Sequence, residues 1–339
     1  MSMLPEEGGL RQVLARYQRP SHRRSALEIA ITAAPLLALW GAALFTVSHG
    51  WWWGVFITLP AAAFLVRLFM IQHDCGHAAF FRSRTANEWT GRLIGVLTMT
   101  PYDYWRRTHA IHHATSGNLD RRGLGALETM TVAEYMAKPR LQRLGYRLYR
   151  NPLVIFVLGP AYMFLLQHRL PIGLMGQGRA WLSVLGNSLG LALLIVVQLM
   201  LAGPRALLLV HLPIVVAAAC VGVWLFYVQH QYEQAYWARQ PAWTAEEAAL
   251  KGSSHLILPP VLRWMTANIG AHHIHHLGSK IPFYRLPQVL KDHPRLNETS
   301  RLTLGQAFTS MRLALWDEAK GRLVSFREAQ RRSPQPSAA

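Results

Sequence analysis

Two scarcities narrow the reading before any motif is considered. The chain has 2 cysteines among its 339 residues, Cys75 and Cys220, which excludes a disulfide framework and a cysteine-based zinc site. Acidic residues are few as well: 17 Asp and Glu stand against 35 Lys and Arg, a formal charge of +18. Such an excess suits either nucleic-acid binding or the cytoplasmic loops of a membrane protein. No nucleic-acid-binding motif accompanies the arginines, and 51% of the residues are hydrophobic, too apolar a chain for that role, so no nucleic-acid partner is expected. The N-terminus, MSMLPEEGGLRQVLARYQRPSHRRS, lacks the apolar core of a signal peptide.

What the chain does have is long apolar runs. Four of them, at about 29–47, 51–71, 181–202 and 206–228, approach the roughly 20 residues a bilayer-crossing helix needs. A fifth, at about 152–167, is shorter and carries Pro160, which suggests an interfacial or re-entrant segment. Arg11, Arg16, Arg19, Arg23 and Arg24 precede the first run, whereas the connector SHGWWWG after it has no Lys or Arg. That asymmetry places the N-terminus in the cytoplasm and Trp51 to Trp53 at the outer interface. The expected architecture is an all-α integral membrane protein of two transmembrane hairpins with a cytoplasmic helical cap. Its parts are a cytoplasmic arm at 1–28, a membrane domain at 29–300 and a cytoplasmic C-terminal segment at 301–339, whose end, QRRSPQPSAA, is read as disordered.

Histidine carries the chemistry. Of the 16 histidines, His73 and His77 in HDCGH stand at i and i+4. His109, His112 and His113 in HAIHH stand at i, i+3 and i+4, and His272, His275 and His276 in HHIHH repeat that spacing. On a helix each set shares a face, so its imidazoles can converge. His230 sits just past the last apolar run, at the membrane level of His73. With two hairpins, all these residues fall on one side of the membrane; a spanning 152–167 segment would strand some of them on the other. His22, His49, His168, His211, His255 and His293 are read as structural or exposed. His273 points about 100° away from His272 and is left out of the ligand set, though a supporting role stays open. One structural zinc takes four ligands, so two metal ions sharing the set is the economical reading. Imidazole alone leaves iron, copper, nickel and zinc open. No Glu lies inside any cluster, unlike carboxylate-rich di-iron bundles.

The order HDCGH, HAIHHATSGNLDRRG, NIGAHHIHHL, interleaved with two membrane hairpins, resembles the membrane-bound fatty acid desaturases, and most closely their bacterial omega-6, delta-12-like acyl branch. The resemblance covers about residues 30 to 300. It implies a non-haem di-iron centre, with two Fe ions and O2 as cosubstrate, that removes hydrogens from an unactivated acyl chain. By this match His73, His77, His109, His112, His113, His272, His275 and His276 fill the histidine boxes, and His230 is the additional ligand. In some members an Asn four residues before that histidine holds a metal-bound water; here the position is Phe226. The chain has no fused haem electron-carrier domain, so the resemblance implies a separate ferredoxin-like donor with its reductase, suited to a basic face. The implied location is the bacterial inner membrane, with site and termini on the cytoplasmic side.

Around the ligands, Asp74, Asp120 and Glu233 are candidates to accept an imidazole N–H. Asn268, four residues before His272, is a candidate to reach a metal through water. Lys251, Arg263, Lys280 and Arg285 are candidates to contact the head of a long acyl lipid or acyl thioester. An alkyl C–H bond has no acidity for a side chain to exploit, so a metal-based oxidant is needed. The same oxidant would serve a fatty acyl or terpenoid hydroxylase or epoxygenase, which stands as the alternative. A membrane metal transporter, the remote alternative, should carry its ligands in mid-span; only Arg67 and His211 are notable there.

Overall fold

The computed structural model describes residues 9–331. Residues 1–8, and the expected disordered end from 332 onward, lie outside the described residues. The first long helix runs from His22 to Ser48 and starts where the Ser21 side chain accepts the Arg24 N–H. It thus begins inside the stretch expected to be a polar arm. Leu10, Leu14 and Tyr17 of that arm are buried against the rest of the protein. After a tight turn at Gly50, a short 3-10 segment, Trp52–Ile57, leads into the helix Thr58–Gly76. This helix packs between His22–Ser48 and Leu212–His230.

The apolar stretch Gly178–His230 is 53 residues long. As one helix it would reach about 80 Å, far more than the roughly 30 Å of a hydrocarbon layer. It is broken at Gly203, whose φ of 74° and ψ of 175° interrupt the helix. Gln198 and His211 then lie 3.1 Å apart, Nε2 to Nδ1. Thirteen residues of continuous helix would hold those two about 20 Å apart, so the chain reverses at the break. Leu182, Leu185, Leu189, Leu193 and Val196 form an exposed apolar stripe on the outer side of Gly178–Ala206, the surface a helix shows to lipid rather than to water.

Inside the apolar layer Arg67 is 1% exposed. It pairs with Glu28, donates from Nε to Thr32 Oγ1 at 3.1 Å and lies 4.0 Å from the centre of the Trp264 ring. A buried charge must be paired in this way to be tolerated, and the contacts fasten both helices of the first hairpin to the segment before the third histidine box.

Most of the chain is helical, but the expectation of a purely α fold needs correction. Met130–Thr131 pairs in parallel with Leu315–Asp317, which pairs antiparallel with Arg322–Val324. His255–Ile257 pairs in parallel with Arg301–Thr303. Strands of two or three residues are too short to leave an alternating signature in sequence. The segment 152–167 forms the helical turns Val154–Leu158 and Gly159–Leu165, bent by 55° from the preceding helix Arg140–Tyr149.

Candidate metal centre

Four segments converge at one end of the helix bundle. His73 occupies the last turn of Thr58–Gly76, and His77 caps that helix by donating its backbone N–H to the His73 carbonyl at 3.2 Å. The helix Tyr102–Thr115 brings His109, His112 and His113. Its first turn is fixed by Ser183 Oγ, which accepts the Asp103 and Tyr104 N–H groups at 3.1 Å each and so satisfies two amides that a helix start leaves without partners. His230 ends Leu212–His230. The short helix His272–Leu277 carries the third set and is held to the 255–257 strand, with the His272 N–H on the Ser254 carbonyl.

The nine histidines form two groups. His73, His77, His109, His113 and His275 make one, and His112, His230, His272 and His276 the other; within each, one nitrogen per ring lies within 4.8 Å of all the others. Both triplets are split between the groups. On a helix, i and i+4 lie about 40° apart while i+3 falls on the other side of i. Hence His109 with His113, and His272 with His276, share a group, while His112 and His275 cross to the opposite one.

In the first group the Nε2 atom of His109 is 3.1 Å from those of both His73 and His113, and His113 Nε2 is 3.1 Å from that of His275. In the second, His230 Nε2 is 3.0 Å from those of His112 and His272, with His276 Nε2 3.1 Å from His272. A neutral imidazole offers a single N–H, so a nitrogen with two such neighbours hydrogen-bonds well to one of them only. Among the described residues His77 Nε2 is buried without a hydrogen-bond partner. A cation facing the whole group would satisfy every lone pair. Nitrogens bound at about 2.1 Å lie about 3.0 Å apart across a right angle and about 3.4 Å across a tetrahedral one. The neighbours at 3.0–3.1 Å, within groups that extend to 4.8 Å, lie in the range of adjacent nitrogens on one metal ion.

Electrostatics agree with that fit. Burial, reinforced by mutual repulsion, holds His109, His112, His113, His272, His275 and His276 well below the ordinary imidazole pKa of 6.5, and neutral imidazole is the ligating form. The Nδ1 of His230 lies 3.1 Å from the Gly252 carbonyl; donating there would leave Nε2 free to bind. Trp105 stacks on His109 with ring centres 4.6 Å apart and planes 14° apart. Neither Gly252 nor Trp105 was singled out from sequence, and only Trp105, one turn before His109, left a signal that could have been used. Phe226 lies over the second group, 4.9 Å from the His112 ring and 5.5 Å from that of His230.

The expected supporting residues divide. Asp74 has Oδ1 3.4 Å from His73 Nδ1, while Oδ2 accepts the Phe283 N–H at 2.7 Å. Asp120 instead takes Arg239 and the Gln240 N–H, and Glu233 takes Arg322 at 2.6 Å. Both are exposed. Asn268 is also misplaced by the sequence reading: the helix starts only at His272, and Asn268 lies in a turn with φ of 57°, not on the His272 face. His273 stays out of both groups and bonds the Leu296 carbonyl through Nε2 at 2.8 Å. His22, His49, His168, His211, His255 and His293 also lie outside both groups. Of the basic residues considered for the acyl head, Lys251 is held by Glu247 at 2.8 Å.

A family model described as fatty acid desaturase matches residues 50–307, which contain all nine histidines. The chain belongs to the fatty acid desaturase family. This desaturase is 39% identical over 319 residues to a protein named "Fatty acid desaturase" from Bacillus subtilis, across 94% of this chain and 90% of that relative. It is 27% identical to the "sn-1 acyl-lipid omega-3 desaturase (ferredoxin)" of Synechocystis sp., across 65% of this chain and 61% of the relative. It is 25% identical to the "sn-1 oleoyl-lipid 12-desaturase" of the same organism, across 66% of this chain and 63% of the relative. The desaturase is therefore an oxidoreductase that acts on fatty acids, and a membrane protein.

Proposed function

We propose that the protein is a membrane acyl-lipid desaturase that introduces a cis double bond into a long acyl chain, of the delta-12 or omega-6 type, using O2 and two electrons. The observation that carries this reading is the meeting of nine histidines in two adjoining groups at one end of the apolar bundle. Two Fe ions held there, one by the five-histidine group and one by the four-histidine group, would supply the oxidant that an unactivated C–H bond requires. The protein's own part is to hold both histidine groups, exclude water and present one pair of methylenes, with Phe226 offering an apolar wall beside His112 and His230. The 12-position is supported by the name of the Synechocystis oleoyl-lipid relative.

The proposed topology has four spans, near 29–47, 51–71, 181–202 and 206–228, with residues 152–167 interfacial. Residues 1–28 and 301–339 and the histidine cap then lie on the cytoplasmic side of the bacterial inner membrane, as the arginines before the first proposed span support. Electrons would come from a ferredoxin-like protein and its reductase, a donor named in one relative, and the substrate would be an acyl lipid or acyl thioester.

The test is the fatty acid profile of a bacterial host fed oleate, with double bonds located by mass spectrometry, beside the His112→Ala variant. A diene formed only by the intact chain is the expected result. A hydroxylated or epoxidised acyl product in its place would shift the reading to an oxygenase on the same scaffold.

A further inference from the structure

The helix Arg140–Tyr149, RLQRLGYRLY, has an apolar face that the described residues leave exposed. Leu141 is 79% exposed, and Leu144 and Leu148 are each more than half exposed. At 3.6 residues per turn the three fall within about 60° of one another. Tyr146 points nearly opposite and is buried, its hydroxyl donating to the Ala314 carbonyl at 2.7 Å and accepting the Met130 N–H at 3.1 Å. The protein therefore grips one side of the helix and leaves the leucines on the other. Arg140, Arg143 and Arg147 occupy an arc beside the leucine face. Among the described residues, Lys138, Arg140 and Arg143 have no carboxylate partner. In water such a surface would be an aggregation liability.

The adjoining turns of the chain identify the occupant. After a bend of 55° they expose Leu153, Val157, Leu158, Tyr162 and Leu166, an apolar surface that belongs in lipid. The leucine face leads directly into it. Arg150, between the two pieces, is buried and donates to Gln231 Oε1 at 2.9 Å and to the Leu313 carbonyl at 2.8 Å, which fixes the bend to the end of the helix that carries His230. We infer that Arg140–Tyr149 lies in the plane of the membrane surface, its leucines at the acyl boundary and Lys138, Arg140 and Arg143 on the phosphates of anionic lipid. A helix with leucines on one face and arginines beside them is the form an interfacial helix takes. Anionic headgroups supply the charge its cations lack. An acidic protein partner would also meet the arginines, but it would leave the continuity of the two apolar surfaces unexplained.

The test reads helix depth and lipid retention, and does not depend on turnover. In the full chain with Cys220→Ala, a nitroxide is attached to Leu144→Cys or to Gln142→Cys; Cys75 is buried. In vesicles of phosphatidylcholine and phosphatidylglycerol, the label at 144 should collide with dissolved oxygen and be shielded from a water-soluble nickel chelate, and the label at 142 should do the reverse. Equal access of the chelate to both would overturn the in-plane placement. Retention of phosphatidylglycerol by the detergent-purified chain should fall on the order of fivefold for each charge removed in Arg140→Gln and Arg143→Gln, with phosphatidylcholine unaffected. If retention is unchanged while an acidic ferredoxin binds less well to these variants, the surface belongs to a protein partner and the lipid assignment is wrong.

Discussion

His273 and His275 share one short helix, yet only His275 belongs to a nitrogen group, while His273 is spent on the Leu296 carbonyl. Burial lowers the pKa of both, that of His273 to about 3, so protonation behaviour does not tell them apart; direction along the helix does. His275→Ala should lose at least one of the bound metal ions, measured as metal per chain in purified protein. His273→Ala should retain full metal and lose about 1–3 kcal/mol of stability through its broken buried hydrogen bond. Equal metal loss in both variants would mean that the groups are assigned wrongly. The two histidine groups were legible because two spacings on a helix decide which way an imidazole faces. Asp120 and Glu233 were not, because nearness in sequence to a histidine says nothing of which arginine a carboxylate meets across the fold. Asn268 failed for a related reason: a helical face was assigned before the helix had begun.

At the level of elements, the apolar runs and the histidine sets were readable since each follows from composition or a fixed helical period. The small sheets were not, and neither was the leucine face of Arg140–Tyr149, which the described residues leave exposed. The break at Gly203 was visible only as the dipeptide Gly-Pro between two long apolar runs. Its backbone shows why glycine stands there. A φ of 74° with a ψ of 175° is a conformation that side chains with a Cβ scarcely adopt, while open space around the site means that no neighbour would be struck. Gly203→Ala should therefore act through the backbone alone, destabilising the fold by about 1–3 kcal/mol without changing metal content. The check is thermal unfolding in detergent beside metal analysis. An unchanged midpoint would show that the turn relaxes into another conformation without penalty.

Across the whole molecule, the two nitrogen groups draw their members from 73–77, 109–113, 230 and 272–276, so metal bound there would tie these four segments together and favour the folded chain over the unfolded one. Proton linkage gives this a direction. In the metal-free fold, burial holds the cap imidazoles well below 6.5, the value they take when exposed. Once the pH drops below that value, the unfolded chain takes up protons that the folded chain excludes, and stability falls with pH; above it neither state is protonated and the contribution is constant. The unfolding midpoint of the metal-free protein should thus be level above about pH 6.5 and decline progressively below it, since several imidazoles titrate together. Metal should raise the midpoint, and its advantage should shrink on acidification as protons compete for the same nitrogens. Tryptophan fluorescence during heating, for stripped and reloaded protein across the pH series, measures both curves. A stripped protein indifferent to acidification through 6.5 would mean that water reaches the imidazoles, and the dry packing of the two histidine groups would then be wrong.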